Sequence, residues 1–548
     1  MTKRILLAAL LAASATPAHA DTLYAHANGL RATPDGHLEH FSGLLVGDDG
    51  KVLRVLHGEQ LKLRPGTRVV DLGGKAMLPG LIDAHGHVTD LGFFLTRLDL
   101  TGTRSLAEVK ARLATYAKAH PAAPWIIGFG WNQEQWADKS FPTAADLDSV
   151  VAGRPVVLQR VDGHAIVVNS AAMRAAKVTA ATRAPVGGEI RDGLFVDMAG
   201  ELISKAIPDP TPAELDRALA EAQGALLAVG ITGVGSMSTT IPDWQAFRRA
   251  GQRGTLKVRL MAYLLGPEAI RSVPHPTGWL YGDRLRAAGI KLFADGALGS
   301  RGAWLKAPYA DKPDSRGLRF HSDAELLAQA DAAAKAGFQV ATHAIGDAAN
   351  AQVIGVYEHL SKRYGTDRRW RIEHFQIVDP ADIPRLKPAG IIASMQPTHQ
   401  TSDRTMAEAR LGTNRLGGAY AWQSVDRLGI PLAFGSDFPV ESPNPFPGLG
   451  AAISRQDPGG NPPGGWRPQE RLSLGQALHA FTRGAAYAGF AETRFGALDP
   501  GQWADFIIVD RDIEKVDPQA LAKTKVLETW IAGRRVFSGT PAVPAPVK

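Results

Sequence analysis

Two histidines flank a glycine directly after an apolar run in "MLPGLIDAHGHV", residues 77 to 88. On a β-strand, successive side chains face opposite sides, so His85 and His87 point the same way. Two neutral imidazoles on one face provide half of a metal site. The alternative is a solvated strand end that carries histidines by chance, and the rest of the chain decides between these two interpretations.

Four further polar residues stand at or near the ends of apolar, strand-like runs: Lys291, His343, His374 and Asp437. Each alone has a structural explanation, since Lys291 could be the buried ion-pair partner of Asp295 and His374 could bond to a backbone carbonyl. Together with His85 and His87 they make six such residues at strand ends. That number is difficult to explain as coincidence.

The strand-like runs alternate with Ala- and Leu-rich helical stretches, which is the pattern of repeated βα units. The runs are eight in number: "MLPGLIDAHGH", "GITGVGSM", "KVRLMAYLL", "GIKLFADG", "FQVATHAIGD", "WRIEHFQ", "GIIASMQPTH" and "PLAFGSDFP". We therefore expect an α/β fold in which residues 78–490 form a (β/α)8 TIM-like barrel, with the active site at the C-terminal ends of its strands. The interval 100–225 exceeds a normal crossover, so we expect an inserted subdomain after the first barrel strand, as a lid or pocket wall.

Both ends of the chain carry short alternating apolar stretches broken by Gly and Asp. They include "GLLVGDDGKVLRVL" and "RVVDLGG" near the N-terminus and "ADFIIVDRD" and "TWIAGRRVF" near the C-terminus. This alternation of apolar and polar residues predicts β-strands at both ends. We expect residues 21–77 and 491–540 to build one composite β-domain, a small β-sandwich beside the barrel.

Residues 1–20, "MTKRILLAALLAASATPAHA", have the order of features of a secretory signal peptide. Lys3 and Arg4 precede an apolar run, which is followed by the small-residue site Ala18-His19-Ala20. Cleavage there predicts a mature chain that begins at Asp21 and is periplasmic or secreted. No later run approaches the ~20 uninterrupted apolar residues of a membrane span, so no stable membrane anchor is expected in the mature chain.

Composition narrows the chemistry further. The chain has 548 residues and no cysteine, which excludes disulfides and thiol catalysis and leaves His, carboxylate or modified Lys as metal ligands. The formal charge of +7 is scattered rather than arranged in a basic stripe, so no nucleic-acid partner is expected. The expected partner is a small molecule, whose chemical class the composition leaves open. A homo-oligomer is compatible with the sequence.

The whole pattern resembles the amidohydrolase superfamily, and within it the YtcJ-like (amidohydrolase 3) family that includes N-substituted formamide deformylases. The resemblance runs from residue 24 to residue 537. Besides the H-x-H, Lys, His, His and Asp series, it rests on "RVDGHAIVVNSAAM", "KLFADGALGSRGAWLKAPY", "SMQPTHQTSDRTMAEARLG", "SDFPVESPNPFPGLGAAISR" and "GALDPGQWADFIIVD". These motifs are specific for the family but say little about the substrate.

The resemblance implies one or two divalent metal ions, with zinc expected. By this comparison His85, His87 and Asp437 hold one ion, and His343 and His374 hold a second. Lys291, carboxylated on its amine by carbon dioxide, would bridge the two, because a carbamate offers anionic oxygens where an amine does not. Without carboxylation a mononuclear site remains, and His343, His374 or both contact substrate instead.

The resemblance also implies metal-assisted hydrolysis of a C–N bond in an amide, N-acyl or N-formyl compound. A metal lowers the pKa of bound water from 15.7 to about 7, and Asp437 would act as general base and later protonate the leaving amine. Deaminases of the superfamily often carry a glutamate three residues after the strand-five histidine, where this chain has Gly346. Hydrolysis of esters, lactones or cyclic amides stays open, as does a non-catalytic exported binding protein on the same barrel.

Weaker candidates lie outside this series. His164 and Asn169, in the inserted region, either reach the pocket or have a structural role there. His399, expected on the loop after the seventh run, faces the active end of the barrel and is predicted to contact substrate. Trp131 is a candidate for an apolar pocket wall, although core packing is an equal alternative.

Overall fold

The computed structural model describes residues 20–160, 165–185 and 188–539. Its first five strands come from the N-terminal segment, where alternating apolar residues cover a core. Strand β1 pairs with β2 in antiparallel fashion, and with β4 and β5 in parallel. The five are β1 (Thr22–Ala32), β2 (Leu38–Val46), β3 (Val52–Leu56), β4 (Arg68–Asp71) and β5 (Ala76–Pro79).

The chain then enters the barrel with β6 (Leu81–Gly86) and leaves it again for an inserted subdomain. This subdomain contains a six-stranded sheet of order β11-β12-β10-β9-β8-β7. Its strands are β7 (Leu98–Asp99), β8 (Ile126–Trp131), β9 (Val156–Arg160), β10 (Ala165–Val168), β11 (Gly188–Arg191) and β12 (Leu194–Asp197).

The remaining barrel strands follow in sequence order, each parallel to its neighbour. They are β13 (Ile231–Thr239), β14 (Arg259–Leu265), β15 (Leu285–Phe293), β16 (Gln339–Ala344), β17 (Arg371–His374), β18 (Ile392–Met395) and β19 (Leu432–Phe434). With β6 they form an eight-stranded sheet, and each strand overlaps one of the eight apolar runs. The barrel prediction is therefore confirmed.

The C-terminal strands return to the first sheet. They are β20 (Phe506–Val509), β21 (Val526–Ile531) and β22 (Arg534–Ser538). Antiparallel pairing of β20 with β5 places Phe506 opposite Pro79 and joins the two chain ends in one sheet, of order β22-β21-β20-β5-β1-β2-β3. The expected β-domain built from both ends is confirmed.

The helices connect the strands, and they lie around the barrel or on the inserted sheet. They are α1 (Val88–Thr96), α2 (Leu106–Ala119), α3 (Ala144–Asp148), α4 (Ser170–Ala175), α5 (Gly200–Ser204), α6 (Pro212–Ala228), α7 (Ile241–Gln252), α8 (Asp323–Lys335), α9 (Asp347–Tyr364), α10 (Pro397–Leu411), α11 (Trp422–Arg427), α12 (Pro445–Ser454), α13 (Leu474–Ala480), α14 (Arg483–Ala488) and α15 (Pro518–Leu521). Across the described ranges, no helix has the length and apolar character needed to cross a membrane.

Two connections differ from the expected alternation of strand and helix. The segments after β14 and after β17 form only a short 3-10 turn each, Pro267–Arg271 and Ile383–Arg385. Each segment contains three prolines within fifteen residues, and proline inside a helix removes a hydrogen bond and clashes with the preceding turn.

The boundary of the insertion also differs from the expected span of 100–225. Helix α6 begins inside that span but packs against α1 and α7, which flank barrel strands. The contact with α1 is so close that a Cβ added to Gly92 would lie 2.0 Å from the Ala218 carbonyl oxygen. Helix α6 is therefore part of the helical layer of the barrel.

The barrel interior is filled by a cluster of side chains from strands on opposite sides, as in other barrels of this kind. Ile82, Met261, Tyr263, Ala341 and Ile392 belong to this cluster, which alanines of α14 also contact. Polar residues replace these apolar ones towards the C-terminal ends of the strands, where the candidate site lies.

Candidate metal centre

The six polar residues singled out at strand ends surround one cavity at the C-terminal end of the barrel. The cavity has a volume of about 640 Å3, which lies within the ~300–1,000 Å3 of small-molecule sites. The six are His85, His87, Lys291, His343, His374 and Asp437. The convergence expected from the barrel topology is therefore present.

His85, His87 and Asp437 form the tightest group of potential ligands. His87 Nε2 lies 3.1 Å from Asp437 Oδ1, and His85 Nε2 lies 3.4 Å from the same oxygen. One ligand atom from each residue lies within 4.8 Å of the other two. Two imidazole nitrogens and a carboxylate oxygen are a donor set that zinc and similar cations bind.

A buried charge network orients His85. His85 Nδ1 donates to Glu373 Oε2 at 2.6 Å, so Nε2 is left to face Asp437. Arg371 in turn donates to both oxygens of Glu373, at 2.7 and 3.0 Å, and also to the hydroxyl groups of Tyr263 and Ser394. A carboxylate on the second nitrogen is the usual support of a metal-binding histidine.

The sequence interpretation missed Glu373, although a signal was available in the two charged residues of "RIEH" inside an otherwise apolar, strand-like run. Successive strand residues face opposite sides, so Glu373 and His374 should not both reach the site. His374 has a φ of 73°, which departs from strand geometry. Its side chain lines the cavity, whereas Glu373 acts on the site through its bond to His85. Positive φ at a non-glycine residue is uncommon and clusters at functional sites.

Asp437 is held where the barrel closes between β19 and β6. Its backbone N–H donates to the His85 carbonyl at 2.7 Å, and its φ is 61°. One residue before Asp437, the Ser436 hydroxyl donates to the buried carboxylate of Asp83 at 2.7 Å. Gly435 permits this approach, because a Cβ there would lie 2.5 Å from an Asp83 oxygen.

His343, His374 and Lys291 lie beside this group. The His343 and His374 ring centroids are 4.5 Å apart, and His374 Nδ1 donates to Gln396 Oε1 at 2.9 Å. The bond to a side-chain amide replaces the backbone-carbonyl partner considered for His374. Lys291 is 1% exposed, and its Nζ finds no hydrogen-bond partner within the described ranges.

Asp295 does not act as the ion-pair partner considered for Lys291. Its carboxylate accepts backbone N–H groups of Ile345, Gly346 and Trp304 at 2.8 to 3.0 Å. His343 Nε2 lies 3.6 Å from Asp295 Oδ1. Asp295 therefore fixes the loops around His343 and leaves the Lys291 amine directed at the cavity.

His399 lies in the first turn of α10 rather than on the expected loop. Its Nε2 is 3.7 Å from Asp437 Oδ2, and its ring stacks on His374 at 6.0 Å between centroids. His374, His399 and Asp437 make a second group whose ligand atoms lie within 4.8 Å. The geometry allows His399 either to bind a metal or to contact a substrate.

The protonation states suit metal binding. Burial lowers the pKa of His85 to about 4 and that of His343 to about 3, with the Lys291 charge adding to both shifts. The pKa of His374 is also lowered well below its ordinary value by burial. These rings are neutral at pH 7, and neutral imidazole is the form that binds metal.

The arrangement passes a test of fit for a divalent ion. Lys291 Nζ, His343 Nε2 and His399 Nε2 are buried without a hydrogen-bond partner among the described residues. An unsatisfied buried polar group costs about 1–3 kcal/mol, so three around one cavity indicate a missing ligand. The donor set of imidazole and carboxylate matches a divalent cation of the zinc type.

The three weaker candidates in the inserted region are Trp131, Asn169 and His164. Trp131 is fully buried in the core of the inserted subdomain, where Nε1 donates to the Leu158 carbonyl at 2.8 Å, so it packs there and does not form a pocket wall. Asn169 caps α4 and bonds to backbone groups of Val156, Val151 and Arg154, which is the structural role considered for it. His164 lies outside the described residues.

Gly346 bears on the deaminase alternative. A Cβ at this position would lie 2.0 Å from the Trp304 carbonyl oxygen. The backbone therefore leaves no room for the glutamate that deaminases of the superfamily often carry three residues after the strand-five histidine.

Comparisons with known proteins agree with this geometry. The sequence profile described as "Amidohydrolase family" matches residues 68–537. The chain is 32% identical to the putative amidohydrolase YtcJ of Bacillus subtilis (strain 168), over 89% of this chain and 95% of that one. It is 26% identical to the N-substituted formamide deformylase of Arthrobacter pascens, over 86% and 90%. An uncharacterized metal-dependent hydrolase from Pyrococcus horikoshii OT3 superimposes with a TM-score of 0.79 at 29% identity, covering 91% of this chain and 99% of the other.

Proposed function

Because the chain belongs to the amidohydrolase family, and is accordingly a hydrolase, we propose that it hydrolyses a C–N bond of an amide, N-acyl or N-formyl compound. One observation carries the proposal. His85, His87, His343, His374, His399, Lys291 and Asp437 share a single cavity. The printed name of the Arthrobacter relative supports an N-formyl compound as one candidate.

Most of these residues would bind the metal, and Asp437 would both bind it and transfer protons. His85, His87 and Asp437 would hold one divalent ion, zinc being the expected metal, and His343 and His374 a second. A divalent ion bound there lowers the pKa of water and polarises a carbonyl group. Lys291 would join the two positions once carbon dioxide has added to Nζ with loss of a proton. Burial supports this step, because it lowers the pKa of Lys291 to about 8 and so favours the reactive neutral amine.

Asp437 is the proposed general base. Although burial raises its pKa, the neighbouring histidines, above all His85, hold the pKa of this carboxyl well below its usual value, so it is ionised at neutral pH. Its carboxylate would accept the proton of the attacking water and later deliver it to the departing nitrogen. His399 Nε2 would donate to the substrate carbonyl oxygen, from its position 3.7 Å from Asp437 Oδ2.

Esters, lactones and cyclic amides remain the second candidate class, because the same groups can hydrolyse any carbonyl of this kind. A non-catalytic binding protein is the remaining alternative, and the complete set of candidate metal ligands around one cavity argues against it. A panel of N-formyl amines, N-acyl amines, lactones and esters, each with the purified zinc-loaded protein, distinguishes the classes. We expect amide hydrolysis at the highest kcat/KM. Esters react faster than amides by nature, so the second class is favoured only if the matched esters are hydrolysed faster than this intrinsic difference explains. No turnover of any member would favour the binding protein.

We also propose that the protein is exported and that residues 1–20 are removed. The support is the sequence pattern of this segment, of which residues 1–19 lie outside the described ranges. The position of β1 is consistent with cleavage, since the strand begins at Thr22, one residue after the expected new N-terminus.

A further inference from the structure

One buried carboxylate lines the cavity without belonging to the candidate ligand groups. Glu441 is 8% exposed and follows Asp437 in the loop between β19 and α12. A turn in which the Val440 N–H donates to the Asp437 carbonyl at 2.9 Å directs the chain back to the cavity. Among the described residues, the groups with ligand atoms within 4.8 Å of one another do not include Glu441. Metal binding therefore leaves its position unexplained.

Glu441 is held in a defined orientation by α10. The Ser402 hydroxyl donates to Glu441 Oε1 at 2.5 Å, a charge-assisted hydrogen bond. His399, Asp403 and Met406 are spaced by four and three residues, so one face of the same helix lines the cavity. The carboxylate is thus a fixed part of the wall rather than a mobile surface group.

This wall of the cavity carries two acidic residues, Glu441 and Asp403. Asp403 also lines the cavity, where its Oδ2 accepts hydrogen bonds from Gln376 and Tyr420. Within the described lining, the one Lys or Arg is Lys291, which lies among the histidines. A substrate carboxylate would meet two like charges at this wall, whereas a cation would be attracted, and attraction is stronger in a cavity than in bulk water.

A further unpartnered group in the same wall points to a ligand. His399 is 8% exposed, and its Nε2 has no hydrogen-bond partner among the described residues. Its Nε2 lies 3.7 Å from Asp437 Oδ2, and one turn further along the same helix Ser402 holds Glu441. A substrate that places its carbonyl oxygen near His399 can therefore extend its other end towards Glu441.

We propose that Glu441 determines specificity by binding a cationic nitrogen on the part of the substrate remote from the scissile bond. The substrate class is then an amide that carries an ammonium group. This inference rests on the proposed function, since it concerns the same cavity. Apolar lining residues such as Phe293 and Ile345 would contact the methylene groups between the two ends.

A pair of isosteric amides tests the inference. N-acetyl-2-(trimethylammonio)ethylamine and N-acetyl-3,3-dimethylbutylamine have the same shape and differ by one positive charge. The full zinc-loaded chain is assayed for the ratio of kcat/KM between the cationic and the neutral amide, and calorimetry gives the ratio of Kd values for any amide that is not turned over. We expect a preference of at least about tenfold for the cation.

Glu441→Gln keeps the size and an acceptor for Ser402 but removes the charge, so we expect it to reduce this ratio about tenfold or more while retaining zinc. The matched control is Glu408→Gln, because Glu408 lies on α10, accepts from Trp466 Nε1 at 2.6 Å and does not line the cavity. Its ratio should equal that of the wild type. Zinc content is measured in all three proteins.

Three results would overturn the inference: a wild-type preference for the neutral amide, an unchanged ratio in Glu441→Gln, or loss of zinc from that variant. Failure of the proposed function has a different signature. In that case the zinc-loaded chain hydrolyses neither amide, but calorimetry shows tighter binding of the cationic amide than of the neutral one. This difference in Kd then disappears in Glu441→Gln.

Discussion

His85 lies between two carboxylates that have different tasks. Glu373 bonds to its Nδ1 at 2.6 Å and sets the ring orientation, whereas Asp437 approaches its Nε2 at 3.4 Å from the cavity side. Arg371 compensates the charge of Glu373 inside the barrel. The orientation of His85 thus depends on residues that do not line the cavity.

Glu373→Gln is predicted to weaken metal binding by about 10- to 100-fold, because His85 loses the carboxylate that orients it. It should also destabilise the fold by about 3–5 kcal/mol, since Arg371 is left with an uncompensated buried charge. Chelator competition and thermal unfolding measure the two effects. Glu358→Gln is the control, because its partner Arg385 is partly exposed and keeps a second carboxylate partner, Asp382, at 2.7 Å. Equal metal affinity in both variants would contradict the role given to Glu373.

Asp437→Asn keeps the size and one oxygen of the side chain but removes its basicity. Loss of a general acid–base group lowers turnover by about 10²–10⁴-fold. We expect at least a hundredfold loss with metal content retained, as measured by elemental analysis and amide hydrolysis on the same sample. Loss of metal would reduce Asp437 to a ligand, and wild-type turnover in a fully metallated variant would refute the proposed proton transfer.

At the scale of elements, the site depends on close approach of the loops that follow β15 and β16. Gly346, at the N-terminus of α9, lies against the Trp304 carbonyl, and its N–H donates to Asp295. A methyl group there must displace backbone. The position of His343 therefore depends on a glycine three residues later.

Gly346→Ala is predicted to destabilise the protein by about 1–3 kcal/mol, the usual cost of overpacking. The control is Gly355→Ala in the middle of α9, where a Cβ would meet no atom within 4 Å. That change should stabilise by roughly 0.5–1 kcal/mol, because alanine favours helix over glycine. Urea unfolding measures both variants. Opposite signs are expected, and equal stabilisation by the two would show that the contact with Trp304 is absent.

The sequence predicted the elements better than the contacts between them. All eight barrel strands and the six residues at their ends follow from local patterns, because alternation and chain topology determine them. The bond between His85 and Glu373 joins residues 288 positions apart, and no local pattern specifies such a pair. The burial of Trp131 likewise depends on how the inserted sheet packs, since the same residue type serves cores and pocket walls.

At the scale of the whole molecule, the chain ends share one sheet that begins immediately after the proposed cleavage site. Asp21 already takes part in it, since its carbonyl accepts the Arg68 N–H at 2.9 Å. We predict that the exported protein begins at Asp21. N-terminal sequencing of protein from the periplasm or medium checks this, and a retained Met1 in exported material would contradict it.

The central claim is that hydrolysis depends on divalent metal held at the strand ends of the barrel. The most direct measurement is a titration of the metal-free protein with zinc, in which bound metal and hydrolysis of the preferred amide are followed together. We predict no turnover without metal and recovery that saturates at one or two ions per chain. Full turnover by protein free of metal, or saturation of metal without any recovery, would contradict the account.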